Sequence, residues 1–226
     1  MKKFELTDEF ITNAFGNKLF RIKAIVDFGT IRAGELGGFV EKEENLSNDD
    51  NAWVSGNARV SDDARISDDA RISGNAQVSG NASVFGNASV SDDARISGNA
   101  SVSGNAQVSG NAQVSGNAWV YDNAQVYDNA QVSGNASVSG NAQVYDNADY
   151  AVVEGFGRYF RATTFFRCKD KILRVQCGCF YGDLAEFREI VKKTHGDSKY
   201  AKEYLAIADL MELHFSDDEG RQEAAE

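Results

Sequence analysis

Residues 99–116 read NASVSGNAQVSGNAQVSG, which is three copies of one six-residue unit. The same unit, with the consensus NAxVSG, runs from Asn51 to Asp146 as sixteen hexads without an insertion. Within each unit the alanine and the aliphatic residue alternate with one variable residue, which is the period of a β-strand. The Gly-Asn or Asp-Asn pair that follows tolerates positive φ and turns the chain. Strand and corner therefore repeat every six residues.

A chain that turns the same way every six residues forms a triangular coil from three hexads, and each strand then pairs in parallel with the strand 18 residues later. The rise is about 4.8 Å per coil. Sixteen hexads predict about five coils around a core of valine, isoleucine and alanine, with each buried aliphatic side chain contributing about 1.5 to 3 kcal/mol. The interior is filled, so we expect no ligand inside it.

This pattern resembles the hexapeptide-repeat family, whose unit is an aliphatic residue, two or three polar or turn residues, a small residue and a variable one. The resemblance implies a mainly β fold, a left-handed parallel β-helix. The hand comes from the resemblance alone, because the general rule for parallel crossovers favours the opposite hand.

Residues 1–50 lack the repeat and are predicted to form a β-rich N-terminal cap, with a strand-like stretch at Phe20–Phe28. The segment resembles the opening of a bacterial and phage group of hexapeptide-repeat transferases typified by YdcK, a group without a firmly assigned reaction. The residues that carry this likeness are Arg21, Ile22, Asp27, Phe28, Ala33, Gly34, Gly37, Gly38, Val40, Leu46 and Ser47.

The repeat domain is placed at 51–148, and a small α+β domain is predicted at 149–215. Its strands are expected at 150–153 and 163–180, around a turn at 169–171. Asp183 is a good N-cap for a helix to about Thr194, and Ser198 can cap a second helix after Gly196. One face of the second helix is predicted to carry Tyr204, Ile207, Ala208 and Met211. The prediction is a ββαα domain.

The segment 163–215 is similar to a small domain of Firmicutes prophage proteins, and this likeness suggests a phage origin. Residues 216–226, SDDEGRQEAAE, are charged and contain no aromatic side chain. Such a composition predicts an acidic disordered tail.

The formal net charge is −11, and residues 1–50, 51–146 and 147–226 are each acidic. Direct binding to nucleic acid is therefore not expected, since it depends on Lys and Arg neutralising phosphates. The start MKKFELTDEF is followed by no apolar stretch, and no run of 18 apolar residues occurs, so we expect no membrane association. Three cysteines favour a reducing compartment, and the expected location is the cytoplasm of a bacterial host.

The sequence contains few candidate catalytic residues. Acyltransferases of the hexapeptide-repeat family rely on a histidine base, and the hydratases on this fold bind metal through several histidines. The array contains no histidine, and the chain has only His195 and His214. Cys168, Cys177 and Cys179 with His195 could hold zinc if Cys168 lay opposite the other two, but buried reduced cysteines are the stronger interpretation. No metal site and no cofactor are predicted.

Two patterns stand out on the array. The cassette SDDARI occurs at 61–66, 67–72 and 91–96, and its Arg and Asp residues are interpreted as compensating one another's charge. Aromatic side chains replace Ser or Gln at a few outward positions, which predicts a binding surface for a protein. Stabilising tyrosine ladders or trimer packing explain the same residues equally well. These residues are Phe85, Trp119, Tyr121, Tyr127 and Tyr145.

The leading hypothesis is a non-enzymatic phage or prophage protein, a rigid acidic scaffold that binds a host or phage protein and inhibits a host defence factor. Mimicry of DNA phosphates by acidic corners is a minor variant. The alternative is an acyl- or nucleotidyl-sugar-type transferase with its site between subunits and His195 as its base. Both hypotheses allow the chain to form a homo-oligomer, either a dimer or a trimer.

Overall fold

The computed structural model describes residues 2–216, so residues 217–226 of the predicted acidic tail lie outside the described part. Three N-terminal strands come first: β1 (Phe4–Thr12), β2 (Lys18–Ala24) and β3 (Leu36–Val40), followed by a 3-10 helix at Glu43–Asn45. Sixteen two-residue strands, β4 to β19, then form the repeat array. A sheet of four strands and two helices ends the described chain.

The array strands lie on three faces of a parallel β-helix, and each strand pairs with the strand 18 residues later, as Val90 does with Val108. Face 1 contains β5 (Arg59–Val60), β8 (Gln77–Val78), β11 (Arg95–Ile96), β14 (Gln113–Val114) and β17 (Gln131–Val132). Face 2 contains β6 (Arg65–Ile66), β9 (Ser83–Val84), β12 (Ser101–Val102), β15 (Trp119–Val120) and β18 (Ser137–Val138). Face 3 contains β4 (Trp53–Val54), β7 (Arg71–Ile72), β10 (Ser89–Val90), β13 (Gln107–Val108), β16 (Gln125–Val126) and β19 (Gln143–Val144).

The core of the β-helix is made of the alanine and the aliphatic residue of each hexad. From Ala52 to Val144 these side chains are at most 1% exposed, whereas the variable residue between them is exposed or half-buried in every hexad except the first, where Trp53 is buried. The predicted inward and outward positions are therefore confirmed. The stacked small and branched side chains fill the interior, as the sequence indicated.

The corners depend on one residue with positive φ in each hexad but the last. Glycine occupies most of these positions, with φ of 63° to 70°, and aspartate occupies five of them, with φ of 51° to 60°. Successive corners approach closely: a Cβ built on Gly98 would lie 3.0 Å from the backbone nitrogen of Gly116. Glycine relieves this approach by lacking a Cβ.

At most of the corners where aspartate replaces glycine, its carboxylate accepts a hydrogen bond from the backbone of the next turn. Asp62 Oδ2 accepts the N–H of Gly80 at 2.9 Å, and Asp68 Oδ2 accepts that of Gly86 at 2.9 Å. Asp92 and Gly110 repeat the contact at 3.1 Å. The first aspartate of the SDDARI cassette thus serves the backbone of the next turn. Charge compensation by the neighbouring arginine is therefore an incomplete account of the cassette.

Asparagine follows most of these residues and forms ladders along the corners. On the corner between faces 1 and 2, Asn81 donates to Asn99 at 3.0 Å, Asn99 to Asn117 at 2.9 Å, and Asn117 to Asn135 at 3.0 Å. Asn135 continues the ladder to Glu154 at 3.1 Å. The consensus asparagine therefore connects each turn to the next and joins the array to the C-terminal domain.

The β-helix begins before the repeat does. Phe39 and Val40 of β3 pair in parallel with Arg59 and Val60, and Leu46 forms a parallel bridge with Ile66. These pairs join residues 20 positions apart, so the first turn does not follow the hexad spacing. It raises the predicted count of about five coils to about six turns.

The N-terminal cap closes the first turn with β1 and β2, which extend face 1 in antiparallel fashion. Phe4 and Ile22 bury their side chains against the end of the core. Lys3 is also buried, and its ammonium group donates to the carbonyl oxygens of Asp50 at 2.9 Å and Ala52 at 2.8 Å. Burial lowers the pKa of Lys3, although the nearby Asp50 carboxylate opposes this shift.

The C-terminal domain has four strands where two were predicted: β20 (Tyr150–Val153), β21 (Thr163–Arg167), β22 (Leu173–Cys177) and β23 (Phe180–Asp183). They form an antiparallel sheet in sequence order, so the domain is ββββαα and the ββαα prediction is wrong. The strand-like stretch at 163–180 contains a hairpin and the start of a third strand, which continues to Asp183.

This sheet acts as a lid, because its two faces have different partners. Phe166 and Cys168 join the core of the β-helix, whereas Phe165 and Val175 pack against the helices. Ser137 N–H donates to Thr164 Oγ1 at 2.9 Å at this junction. The lid sheet therefore closes the last turn and holds the helices on its far side.

The two helices, α1 (Leu184–His195) and α2 (Lys199–His214), confirm the predicted caps. Asp183 accepts the N–H of Glu186, and Ser198 accepts that of Ala201. The four residues predicted to share one face of α2 are buried. No helix within residues 2–216 combines the length and the apolar character that a membrane span requires.

We expect Gly98→Asp to be tolerated within about 1 kcal/mol, because Gly116 N–H can donate to the new carboxylate as Gly80 does to Asp62. Gly98→Val should lower the free energy of unfolding by about 2 kcal/mol or more, since a β-branched side chain at positive φ is strained and meets Gly116. Denaturant unfolding followed by circular dichroism measures both. Equal losses for the two variants would refute this account of the corner.

Candidate functional site

Four of the five predicted binding residues lie on the C-terminal half of the array, and Phe85 lies on the N-terminal half. Trp119 on β15 of face 2 is 58% exposed, and its ring meets that of Tyr121 edge-on at 6.5 Å and 88°. Tyr121 stands at the corner between faces 2 and 3, and it is half-buried. The inward Val120 between them is fully buried, so the strand fixes both rings on the outside.

Phe85 shares the corner column of Tyr121. Phe85 N–H donates to Val102 at 3.0 Å, and Ser103 N–H donates to Val120 at 2.9 Å, which places Ser103 between the two aromatic positions. Phe85 is 39% exposed. Two rises of the strand spacing separate Phe85 from Tyr121 by about 10 Å. We call Phe85, Trp119 and Tyr121 the aromatic patch.

Tyr127 and Tyr145 form a second group at the corner between faces 3 and 1. Their ring centroids are 5.7 Å apart, and the Tyr127 hydroxyl donates to Gln107 Oε1 at 2.9 Å. Burial and then the neighbouring Tyr145 raise the pKa of Tyr127. This group is a hydrogen-bonded tyrosine stack, which is one of the two roles that the sequence left open for these residues.

The two aromatic groups border the same part of face 3. Tyr121 and Tyr127 lie at the two ends of the rung that contains β16, and Gln125 lies between them. Gln143 donates to Gln125 Oε1 at 2.9 Å, so the glutamines also form a ladder. The surface is therefore a polar strip with an aromatic edge at each corner, and Trp119 extends it onto face 2.

The carboxylates of the array do not gather on one face. Asp62 and Asp63 lie at the corner between faces 1 and 2, Asp122 at the next corner, and Asp92 and Asp128 at the third. Several of them already accept backbone N–H groups. This distribution does not match a row of phosphates along one side of a duplex, and it argues against DNA mimicry.

His195, the predicted base of the alternative enzyme, lies at the end of α1 with its ring 5.7 Å from that of Tyr204. It lines a cavity of about 220 Å³ on the helix side of the lid sheet. The other side of this sheet covers the β-helix. The fold therefore separates His195 from the aromatic patch of the same chain.

The three cysteines are not brought together. The hairpin register pairs Thr163 with Cys177, and Cys168 lies at the other end, beside Ile172. The expectation that Cys168 lies opposite Cys177 and Cys179 is wrong, because the chain turns immediately after Cys168. Cys168 packs in the β-helix core, and burial raises its pKa. Within residues 2–216, no group of three His, Cys, Asp or Glu side chains is arranged to hold a metal ion.

Sequence reasoning missed the loop between β20 and β21, which reads EGFGRYFRA at 154–162. Phe156, Tyr159 and Phe160 are exposed, the last at 70%. Arg158 and Arg161 both lie over the Tyr159 ring, at 5.5 Å and 5.0 Å. Its signal was available: three aromatic residues and two arginines occur within six positions of an acidic chain.

The architecture defines the class of protein, which is a parallel β-solenoid closed by a cap at each end. Within the array, the chain matches the model of the YdcK beta solenoid repeat family. The matches cover residues 64–77, 76–92, 94–110, 106–122, 112–128, 124–140 and 130–146. No curated protein matches the chain.

Proposed function

We propose that this chain is a non-enzymatic binding protein that presents the aromatic patch to a protein partner. The observation that carries the proposal is the exposed Trp119 ring, packed edge-on against Tyr121 on a rigid strand. Trp and Tyr dominate the energetics of protein interfaces because they bury a large area with little loss of conformational freedom. A solenoid face holds such side chains in place before binding.

The charge around the patch favours a partner with a basic rim. Asp122 follows Tyr121 directly, Asp128 follows Tyr127, and both are exposed. Carboxylates at the edge of an interface attract Lys and Arg of a partner and repel phosphates. The partner is therefore a protein that presents an apolar or aromatic centre ringed by cations.

The partner proposed is a protein of a bacterial host, with the chain acting as an inhibitor of a host defence factor in the cytoplasm. This part rests on the likeness of 163–215 to a prophage domain. A second copy of the chain is the competing occupant of the patch, which would make a dimer or a trimer. Measuring the mass in solution by light scattering separates these two occupants.

The alternative transferase has less support in the geometry. A donor bound along a solenoid face would have to meet His195 of another chain, because the lid sheet stands between His195 and the array of its own chain. A thermal-shift series with acyl-CoA and nucleotide-sugar donors addresses it, since a tight ligand stabilises the folded state by RT ln(1 + [L]/Kd).

We expect Trp119→Ser with Tyr121→Ser to weaken partner binding by about 2 kcal/mol or more, with little change in stability, since Trp119 is mostly exposed. Affinity capture from host extract with the full chain first identifies the partner, and calorimetry then measures its affinity for each variant. Tyr127→Ser with Tyr145→Ser tests whether the tyrosine stack at the other edge of the same surface also contributes to binding. Unchanged partner affinity and oligomer size in the first variant would discard the patch.

Deletion of Asn87–Gly104 should preserve the fold, because each turn contacts only its neighbours and 18 residues form one turn. This variant loses one solenoid layer but keeps Trp119, Tyr121 and the orientation of the lid.

Deletion of Asn99–Gly104 alone removes one hexad and rotates the downstream faces by about a third of a turn. It should fold yet bind less tightly if the partner also contacts the N-terminal half. Circular dichroism measures folding, and calorimetry measures partner affinity. Equal affinity of the two deletion variants would show that the partner contacts only one end of the array.

Replacing His195 and His214 together with asparagine should leave partner binding and biological activity intact. Neither side chain belongs to the aromatic patch, and His195 lies beyond the lid sheet. The measurement is biological activity in the host together with calorimetric affinity. Loss of activity with binding and melting preserved would favour the transferase.

A further inference from the structure

The helix side of the lid sheet contains a cavity of about 220 Å³ that the proposed binding function does not use. It lies between the loop 154–162, the turn from β22 to β23, and the two helices. Its apolar walls are Phe180, Phe187, Ile190 and Val191. An engineered apolar cavity of about 150 Å³ holds benzene. This cavity therefore has room for one aromatic ring with a short chain attached.

Polar groups gather among these apolar walls. Arg161, His195, Thr194 and Tyr204 all line the cavity. The Arg161 guanidinium lies over the Tyr159 ring at 5.0 Å, and no carboxylate within residues 2–216 forms an ion pair with it. Arginine presents a planar set of donors that matches a carboxylate in bidentate fashion. A cation beside an apolar cavity is suited to a ligand that has one apolar end and one anionic end.

Two glycines make this arrangement sterically possible. A Cβ on Gly178, which has φ of 59°, would lie 2.9 Å from Arg161 Nη1. A Cβ on Gly157 would lie 2.1 Å from the Tyr204 hydroxyl oxygen. Gly157 N–H donates to Glu203 Oε2 at 2.9 Å, which ties the loop to α2. Any side chain at either position would displace a residue that lines the cavity.

The loop is also held in an uncommon conformation. Phe160 adopts φ of 53°, which costs a non-glycine residue free energy and persists where surrounding contacts impose it. Arg161 follows directly and faces the cavity. Burial and then the neighbouring Cys177, to which the Tyr204 side chain is hydrogen-bonded, raise the pKa of Tyr204 to about 12, so its hydroxyl stays protonated.

We infer that this cavity binds an apolar group that carries a carboxylate, with the apolar group against Phe180 and the apolar side of α1 and the carboxylate on Arg161 and His195. The ligand has two sources with the same chemistry: a free arylalkanoic acid, or the C-terminal residue of a peptide that ends in a large apolar side chain. The inference is independent of the aromatic patch, because the lid sheet separates the two places.

The first probe is 3-phenylpropionate, titrated into the full chain and followed by two-dimensional NMR of the backbone amides. We expect shifts at His195, Thr194 and Cys177 and little change along the array. The neutral 3-phenylpropanamide should bind at least about tenfold more weakly, since it cannot form the charged pair with Arg161. Equal binding of the acid and the amide would overturn the proposed role of Arg161.

Arg161→Gln should weaken binding of the acid by about tenfold or more and leave binding of the amide unchanged. Arg158→Gln is the matched control, since Arg158 lies over the same Tyr159 ring but does not line the cavity. Ile190→Trp fills the cavity from a partly exposed helix position and should abolish binding of both probes. Melting curves verify that each variant is folded.

A pentapeptide ending in phenylalanine, with a free or an amidated C-terminus, separates the two sources. A free-carboxylate peptide that binds about tenfold more tightly than 3-phenylpropionate identifies a partner's C-terminus, and equal affinities identify a small acid. Either result supports the site. The proposed site would be overturned if neither 3-phenylpropionate nor the free-carboxylate pentapeptide shifted the backbone amide resonances at millimolar concentration. Binding that survives Ile190→Trp in a folded protein would overturn it as well.

Discussion

The close approach of one corner to the next controls this structure. A residue with positive φ stands at each corner, and its backbone lies so near the corner one turn later that a Cβ on Gly98 would be 3.0 Å from the nitrogen of Gly116. Every element that stacks, including the valine core and the asparagine ladders, requires this spacing to be kept at all three corners. Glycine allows the close approach because it has no Cβ, whereas aspartate accepts a hydrogen bond from the N–H of the residue 18 positions later. Within the array, each corner recurs after 18 residues, and six residues lead from one corner to the next.

The array could be predicted from the sequence because its signals are local. Alanine and valine occupy alternate positions of a strand, and Gly-Asn marks the corner. The sequence of a single hexad is therefore enough to predict which of its side chains face the core. The role of Asp62 was not readable in this way, since the N–H that it binds belongs to Gly80, 18 residues later. Arg65 is a basic residue three positions after Asp62 in the sequence, and this proximity led to the interpretation as charge compensation. The contact that matters is defined only by the stacking of turns.

The two ends were harder to predict for different reasons. The first turn joins residues 20 positions apart, so a search for a fixed period begins at Asn51 and misses the pairing of Phe39 and Val40. At the other end, Phe165 and Phe166 are adjacent but serve different cores, one against the helices and one against the solenoid. A strand that is buried on both faces shows little alternation, which conceals how many strands share a stretch. The helices were predictable because their caps at Asp183 and Ser198 are local signals.

The candidate sites follow the same division between local and long-range information. The exposed positions of Phe85 and Trp119 could be predicted, because outward position on a strand depends on its own hexad. The cavity beside Arg161 could not, since its walls come from a loop, a turn and two helices whose docking depends on glycine at 157 and 178. The interior of the solenoid is filled by its alanine and aliphatic side chains, so a ligand can bind only on its outside. The lid has its own second core, and the cavity beside Arg161 forms there, on the side that faces away from the array.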